Sequence, residues 1–180
     1  MKIYTRKGDD GSTGLWYGGR VQKASERPEA YGSVDEAASE LGLARAAAER
    51  GSELYEDILR MQRELFVAGA ELATAPEAAG RLEAGVSKVT EEMVAQLEAD
   101  IDRYMARVDL PPKFVIPGGS ELSARLDVAR SSLRRAERRV GDLDGAGETL
   151  KAYLNRASDA LFAMARFADE TDPELFEGRS

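Results

Sequence analysis

The stretch SELSARLDVARSSLRRAERRVGDL, residues 120–143, sets the fold class. Leu122, Leu126, Ala129, Leu133, Ala136, Val140 and Leu143 recur at steps of four and three, which puts them on one stripe of an α-helix. Ser120 stands where a helix N-cap is expected. Working outward, the same period appears in four more segments. Upstream, Leu54, Ile58, Met61, Leu65, Ala68 and Leu72 form a stripe behind Ser52. Val94, Leu97, Ile101, Tyr104 and Val108 form another behind Thr90, whose first turn is acidic (Glu91, Glu92). Downstream come Leu150, Leu154, Ala157, Leu161, Met164 and Ala168. The first helix is expected from Pro28, as a first-turn proline, to Gly51, with Val34, Ala38, Leu41 and Arg45 on one side. No repeat is present, and a brief strand near Lys2–Tyr4 is the one extended candidate. The expected fold is all-α, a five-helix up-and-down bundle.

Other segments read as connections. Residues 75–88 lack a period and read as a surface loop, and DLPPKFVIPGGS, 109–120, breaks the chain with three prolines and two glycines. The end, DETDPELFEGRS, reads as a loose tail. One domain is expected over 1–180, divided into an N-terminal loop (1–27), the bundle (28–168) and the tail (169–180).

The opposite side of the 120–143 helix is basic. Six arginines (125, 130, 134, 135, 138, 139) face only Glu121, Asp127 and Glu137, in a chain whose net charge is −8. Arg130, Arg134 and Arg138 are spaced by four and share one face. Guanidinium groups so placed repel one another unless an anion or carboxylates lie opposite, and Arg binds phosphate oxygens bidentately. A solvated basic face is the plainer alternative. The overall negative charge argues against nucleic acid as partner.

The residues that are missing narrow the chemistry. Cys is absent, and so is His. There is no thiolate nucleophile, Ser-His-Asp triad, His general base or His- or Cys-bound metal. No run of about 18 apolar residues exists to span a membrane, and the N-terminus lacks a signal-peptide pattern, so a cytoplasmic location is the default expectation.

Four further places stand out. KGDDGSTGLWYGG, 7–19, is dense in glycine; with Thr5, Arg6, Ser12, Thr13 and Lys23 it offers cations, hydroxyls and free amides for phosphate, though no Walker or dinucleotide motif is present. Asn155, Asp159, Phe162 and Arg166 share a helix face, and Asn is a poor mid-helix residue without a hydrogen-bond role. Phe114 precedes a Pro-Gly-Gly turn, as either a core plug or a ring held over a pocket. Asp35 could pair with an arginine of the fourth helix, in the same chain or another.

Taken in order, KIYTRKGDDGSTGL, RVQK, EAYGSVDEAASELGLARA, FVIPGGSELSARLDVARSSLRRAERR and LNRASDALFAMAR resemble the PduO-type ATP:cob(I)alamin adenosyltransferases over nearly the whole chain. The resemblance implies a ferritin-like five-helix bundle that assembles as a homotrimer with active sites between subunits. It implies ATP and cob(I)alamin as substrates, Mg²⁺ as a helper, and a reductase and an adenosylcobalamin-dependent enzyme as further partners. It assigns an ATP wrap to Thr5, Arg6, Lys7, Gly8, Thr13, Gly14 and Lys23. Triphosphate contacts fall to Arg134, Arg135, Ala136, Glu137 and Arg138, and a further ATP contact to Asn155. Asp35 and Arg130 resemble a pair that meets across the subunit boundary. Phe114 resembles the aromatic residue at the lower face of the corrin. Three departures stand out: Asp127 where the family commonly has histidine, Ala38 where it has asparagine, and Ala24 where it often has an acid.

In the implied reaction the cobalt centre is the nucleophile, so the protein need supply only alignment and positive charge where triphosphate develops. Absence of histidine fits that chemistry. An ATP- and corrinoid-binding sensor or delivery module with little turnover is the alternative. A self-associating structural bundle whose Arg face is an oligomer contact is a third reading. Trp16 and Tyr17 receive no role from the sequence.

Overall fold

The computed structural model describes residues 3–169 and 172–178. Five helices carry the fold: α1 (Glu26–Ala47), α2 (Glu53–Ala73), α3 (Glu91–Met105), α4 (Glu121–Gly141) and α5 (Glu148–Phe167). Three of the expected caps are made. Ser52 accepts from the Tyr55 N–H, Thr90 from Met93, and Ser120 from Ser123, whose own hydroxyl accepts from Ser120 N–H to close a capping box. The α2 stripe is buried at all six expected positions. In α1 the helix starts at Glu26, before Pro28, and stops at Ala47 rather than Gly51. Pro28 still lies in the first turn, where a missing N–H leaves no intrahelical bond unmade.

The helices alternate in direction along the chain, but their order in space differs from their order in sequence. α1 packs between α2 and α4, and α5 between α4 and α3. Arg135 meets Glu36 and Arg139 meets Glu29, so α4 runs antiparallel to α1. Thr149 meets Glu91 and Arg156 meets Glu98, so α5 runs parallel to α3. The core is continuous through Leu41, Ile58, Leu97, Leu126, Leu133 and Leu154, all fully buried.

The α2–α3 seam closes with polar side chains. Asp57 accepts from Tyr104 Oη at 2.7 Å and Arg103 Nη2 at 2.6 Å, and Arg60 bridges Glu64 and the buried Asp100. Burial raises the Glu64 and Asp100 carboxyls above the usual range despite the arginines beside them. The Tyr153 hydroxyl, fully enclosed, donates to Glu64 at 3.0 Å.

Three expectations for the connections are corrected. The glycine-rich start contains a two-stranded antiparallel hairpin, β1 (Ser12–Gly14) with β2 (Arg20–Gln22), registered Ser12 to Gln22. Ile3 and Tyr4 are not in a strand, and Lys2 lies outside the described residues. Residues 75–88 hold a 3₁₀ helix, Pro76–Arg81, and bury Ala75, Ala78 and Ser87. The described part of the tail is pinned: Phe176 N–H donates to Phe114 O at 2.8 Å, Ile116 N–H to Glu174 O at 2.7 Å, and Val115 pairs with Leu175. No described helix is long and apolar enough to cross a membrane.

Candidate active site

Helix α4 carries its arginines on two flanks, and the flanks differ. Toward α1, Arg135 pairs with Glu36 at 2.5 Å, while Arg139 pairs with Glu29 at 2.7 Å and hydrogen-bonds Ser33. Toward α5 and α3, Arg130 and Arg134 line a cleft of about 750 Å³. Glu98, Ile101, Asp102 and Met105 of α3 form one wall, and Arg156, Asp159 and Phe162 of α5 another. Arg134 is exposed and has no hydrogen bond or ion pair among the described residues. Arg130 is half-buried: its Nε donates to Asp127 Oδ1 at 2.9 Å, and its guanidinium lies 6.0 Å from the Phe162 ring centre.

One turn further along, Arg138 faces a second, polar cleft with Glu137, Gly141, Asp142 and Lys151, and it too lacks a partner among the described residues. Asn155 reaches across from α5 and donates to Glu137 Oε1 at 2.9 Å, while Arg156 donates to Asn155 Oδ1 at 2.7 Å. Ala136 is buried in the core. The structure therefore gathers Arg130, Arg134, Arg138, Glu137 and Asn155 along the α4–α5 groove, and sends Arg135 to α1.

The glycine-rich segment lies elsewhere. The Trp16 N–H donates to Ala73 O at 2.8 Å and Ala75 N–H to Trp16 O at 3.0 Å, which fastens the hairpin to the end of α2. Trp16 and Tyr17, unassigned by sequence, thus anchor the loop: their rings are 5.7 Å apart and Arg81 lies 5.5 Å from Tyr17. The preceding turn is built from side chain to backbone. Lys23 Nζ donates to Gly8 O at 2.7 Å, and Arg20 Nη2 to Lys7 O and Ser12 Oγ, each at 2.5 Å. A Cβ on Gly8 would sit 3.1 Å from both Lys23 Nζ and Ser12 O, so the close approach favours glycine. Asp10 accepts from the Ser12 hydroxyl and amide, which lowers its carboxyl below the usual range. Thr5, Arg6 and Lys7 are exposed, Arg6 with φ 61° and its guanidinium 5.6 Å from the Tyr4 ring. Thr13 pairs with Val21 across the hairpin, and Gly14 ends β1.

Beside the hairpin, α1 and α2 form a cleft of about 780 Å³ lined by Gly14, Trp16, Tyr31, Asp35, Ala38, Arg63 and Phe66. Its walls are mainly apolar, and Asp35, an exposed carboxylate in it, has no ion pair among the described residues. Within one chain, Asp35 and Arg130 thus belong to different clefts, on opposite sides of the α1–α4 contact. The Phe114 ring is 82% exposed, which excludes the core-plug alternative, and it lines neither cleft. Asp127 is a functional candidate the sequence did not resolve. Its i,i+3 spacing to Arg130 was the available signal. No group of three or more acidic residues among the described ones is placed to hold a metal ion.

The sequence model of the cobalamin adenosyltransferase family matches residues 3–168. A corrinoid adenosyltransferase of Citrobacter freundii is 45% identical, covering 97% of this chain and 98% of the relative. One of Bacillus subtilis is also 45% identical, covering 92% and 86%. Among solved structures, a variant PduO-type ATP:corrinoid adenosyltransferase from Lactobacillus reuteri, complexed with cobalamin and ATP, superposes with a TM-score of 0.89. It shares 33% sequence identity, over 98% of this chain and 97% of that one.

Proposed function

The chain belongs to the cobalamin adenosyltransferase family and acts in ATP:corrinoid adenosyl transfer, and we propose that the reaction runs at a site completed by two copies of the chain. The observation that supports this is the division of the machinery. Unpaired Arg134 and the groove of α4 and α5 lie on one flank, while the glycine turn and Asp35 lie on the other. Facing copies would bring Asp35 of one, which has no ion pair among the described residues of its own chain, against the terminal nitrogens of Arg130 of the next, whose Nε alone is taken by Asp127. A closed ring of heterologous contacts, a homotrimer, satisfies every such flank.

On this proposal, the turn 5–8 with Thr13, Gly14 and Lys23 wraps ATP, its backbone held ready by Lys23 and Arg20. Arg134 and Arg138, with Asn155 beside them, take the triphosphate. The reduced corrinoid substrate supplies the nucleophile: a cobalt–carbon bond forms at C5′ as the C5′–O bond breaks and triphosphate leaves with the electron pair. The protein's part is to align C5′ and to place positive charge where the leaving group gains negative charge. Phe114, exposed on its pinned segment, is the aromatic offered to the lower corrin face. Among the described residues no group of three or more acidic side chains is placed to hold a metal ion, so on this proposal Mg²⁺ would travel with the ATP phosphates.

Turnover tests this directly. Protein, ATP and chemically reduced cobalamin should give the adenosylcobalamin spectrum; saturating ATP with no spectral change sinks the reading, and tight binding without turnover favours a sensor or delivery module instead.

A further inference from the structure

Asp127 is the buried titratable group on α4 that the reaction leaves unused. Both carboxylate oxygens are engaged: Oδ1 accepts from Arg130 Nε at 2.9 Å and Oδ2 from Arg166 Nη2 at 2.6 Å. The side chains of Asp127 and Arg166 are 5% and 3% exposed, so this is a nearly dry ion pair. Arg166 Nε lies 3.0 Å from Asp169 Oδ2, as an ion pair rather than an aligned hydrogen bond. The sequence along the chain of contacts is thus Arg130, Asp127, Arg166, Asp169, with signs alternating. Removing one member would strand a buried charge, which is costly.

The geometry makes Asp127 matter to Arg130 in a specific way. An arginine side chain has several rotatable bonds, and holding it in one rotamer costs entropy. The bond to Nε takes the inward edge of the guanidinium and leaves its terminal nitrogens for the cleft that Arg134 also lines. Phe162 limits the other side: Arg130 lies 6.0 Å and Arg166 5.4 Å from its ring centre. At the far end, Asp169 sits against Gly119, where any Cβ would collide with the carboxylate, and Ser120 Oγ donates to Ala168 O at 2.6 Å. The same buried chain of charges therefore abuts the turn that follows Phe114.

We propose that Asp127 is a positioning residue for adenosyl transfer, holding Arg130 by Nε so that its remaining N–H groups face the cleft. The inference rests on the assignment of that cleft to the reaction. A purely structural Asp127 would affect stability and activity alike, whatever residue stands at 130. The two are separated by a double-mutant cycle on the full-length protein, read as kcat/KM for ATP. Arg130→Lys supplies the second background, since it keeps a cation but has no Nε–H.

Asp127→Asn should lower kcat/KM by about ten- to a hundredfold in the wild-type background, the scale of an ~1 Å misplacement. In the Arg130→Lys background the loss should be less than about twofold, because the bond through which Asp127 acts is already gone. Equal losses in both backgrounds, or no loss in either, overturn the proposal. Should Asp127→Asn fail to fold, Asp127→Glu keeps the charge opposite Arg166 while shifting both bonds, and the same cycle reads the same way. Wild-type turnover is measured first: its absence refutes the adenosyl-transfer site, whereas turnover with equal losses refutes only the role of Asp127.

Discussion

The two arginine flanks of α4 make a controlled comparison, because residue type and helix are the same and only the neighbours differ. Arg135 and Arg139 meet Glu36, Glu29 and Ser33 of α1 inside the chain. Arg134 and Arg138, a residue away on the other flank, meet no carboxylate at all among the described residues. The first flank registers two helices antiparallel to each other. The second keeps its charge uncompensated beside a cleft, which is where an anionic ligand gains most from guanidinium groups. An Arg-rich run is therefore not one feature: its paired half and its unpaired half interleave at i and i+1.

Arg134→Ala should separate the two flanks most strongly. It should cut kcat/KM for ATP by about a hundred- to a thousandfold, the scale of losing one preorganised donor to developing charge, with Tm nearly unchanged because the exposed side chain makes no hydrogen bond or ion pair among the described residues. A fall in Tm of matching severity would instead make Arg134 structural. Phe114→Ala comes next. Its ring is exposed, so stability should hold, and turnover should drop more when the reaction starts from Co(II) than from Co(I). Equal losses from both oxidation states contradict its place at the corrin.

Arg135→Ala sharpens the other side. The resemblance assigns Arg135 to triphosphate, but its geometry spends it on Glu36. Removing an exposed pair of this kind should cost less than about tenfold in kcat/KM; a loss equal to that of Arg134→Ala would show that the Glu36 pair is exchanged for ATP.

The smallest effect lies away from both flanks, in the α2–α3 seam. Burial raises the Glu64 carboxyl in the folded chain above its unfolded value. The folded state thus holds this proton to higher pH than the unfolded state does, so this group's contribution to stability falls as pH rises through the raised value. Glu64→Gln should flatten the pH dependence of chemical denaturation just above the ordinary carboxylate range. An unchanged slope would mean that Arg60 and Tyr153 compensate the burial fully.

Much of this was legible in the sequence because it depends on near neighbours. The α2 stripe and the caps at Ser52, Thr90 and Ser120 follow from residues within a few positions of one another. What the sequence hid depends on distant partners. The three-residue strands β1 and β2 are too short to display alternation. The described part of the tail is held by hydrogen bonds to Phe114 and Ile116, some sixty residues earlier. That α1 neighbours α4 joins residues about a hundred positions apart, Glu36 with Arg135 and Ser33 with Arg139 among them, which no period encodes. The stripe Arg130, Arg134 and Arg138 was visible, but only the fold shows that Arg130 is held by Asp127 while the other two are left open.

If neither flank makes a site alone, mixed subunits should restore what each variant lacks. Arg134→Ala damages one flank. Gly8→Val damages the other, since its side chain meets Lys23 and Ser12 O. Each variant alone should be nearly inactive. Unfolded together and refolded as mixed oligomers, they should recover about a quarter of wild-type activity, because random assembly pairs an intact turn with an intact Arg134 in about one interface of four. Mixed oligomers with no more activity than either parent would contradict the claim and place the whole site within a single chain.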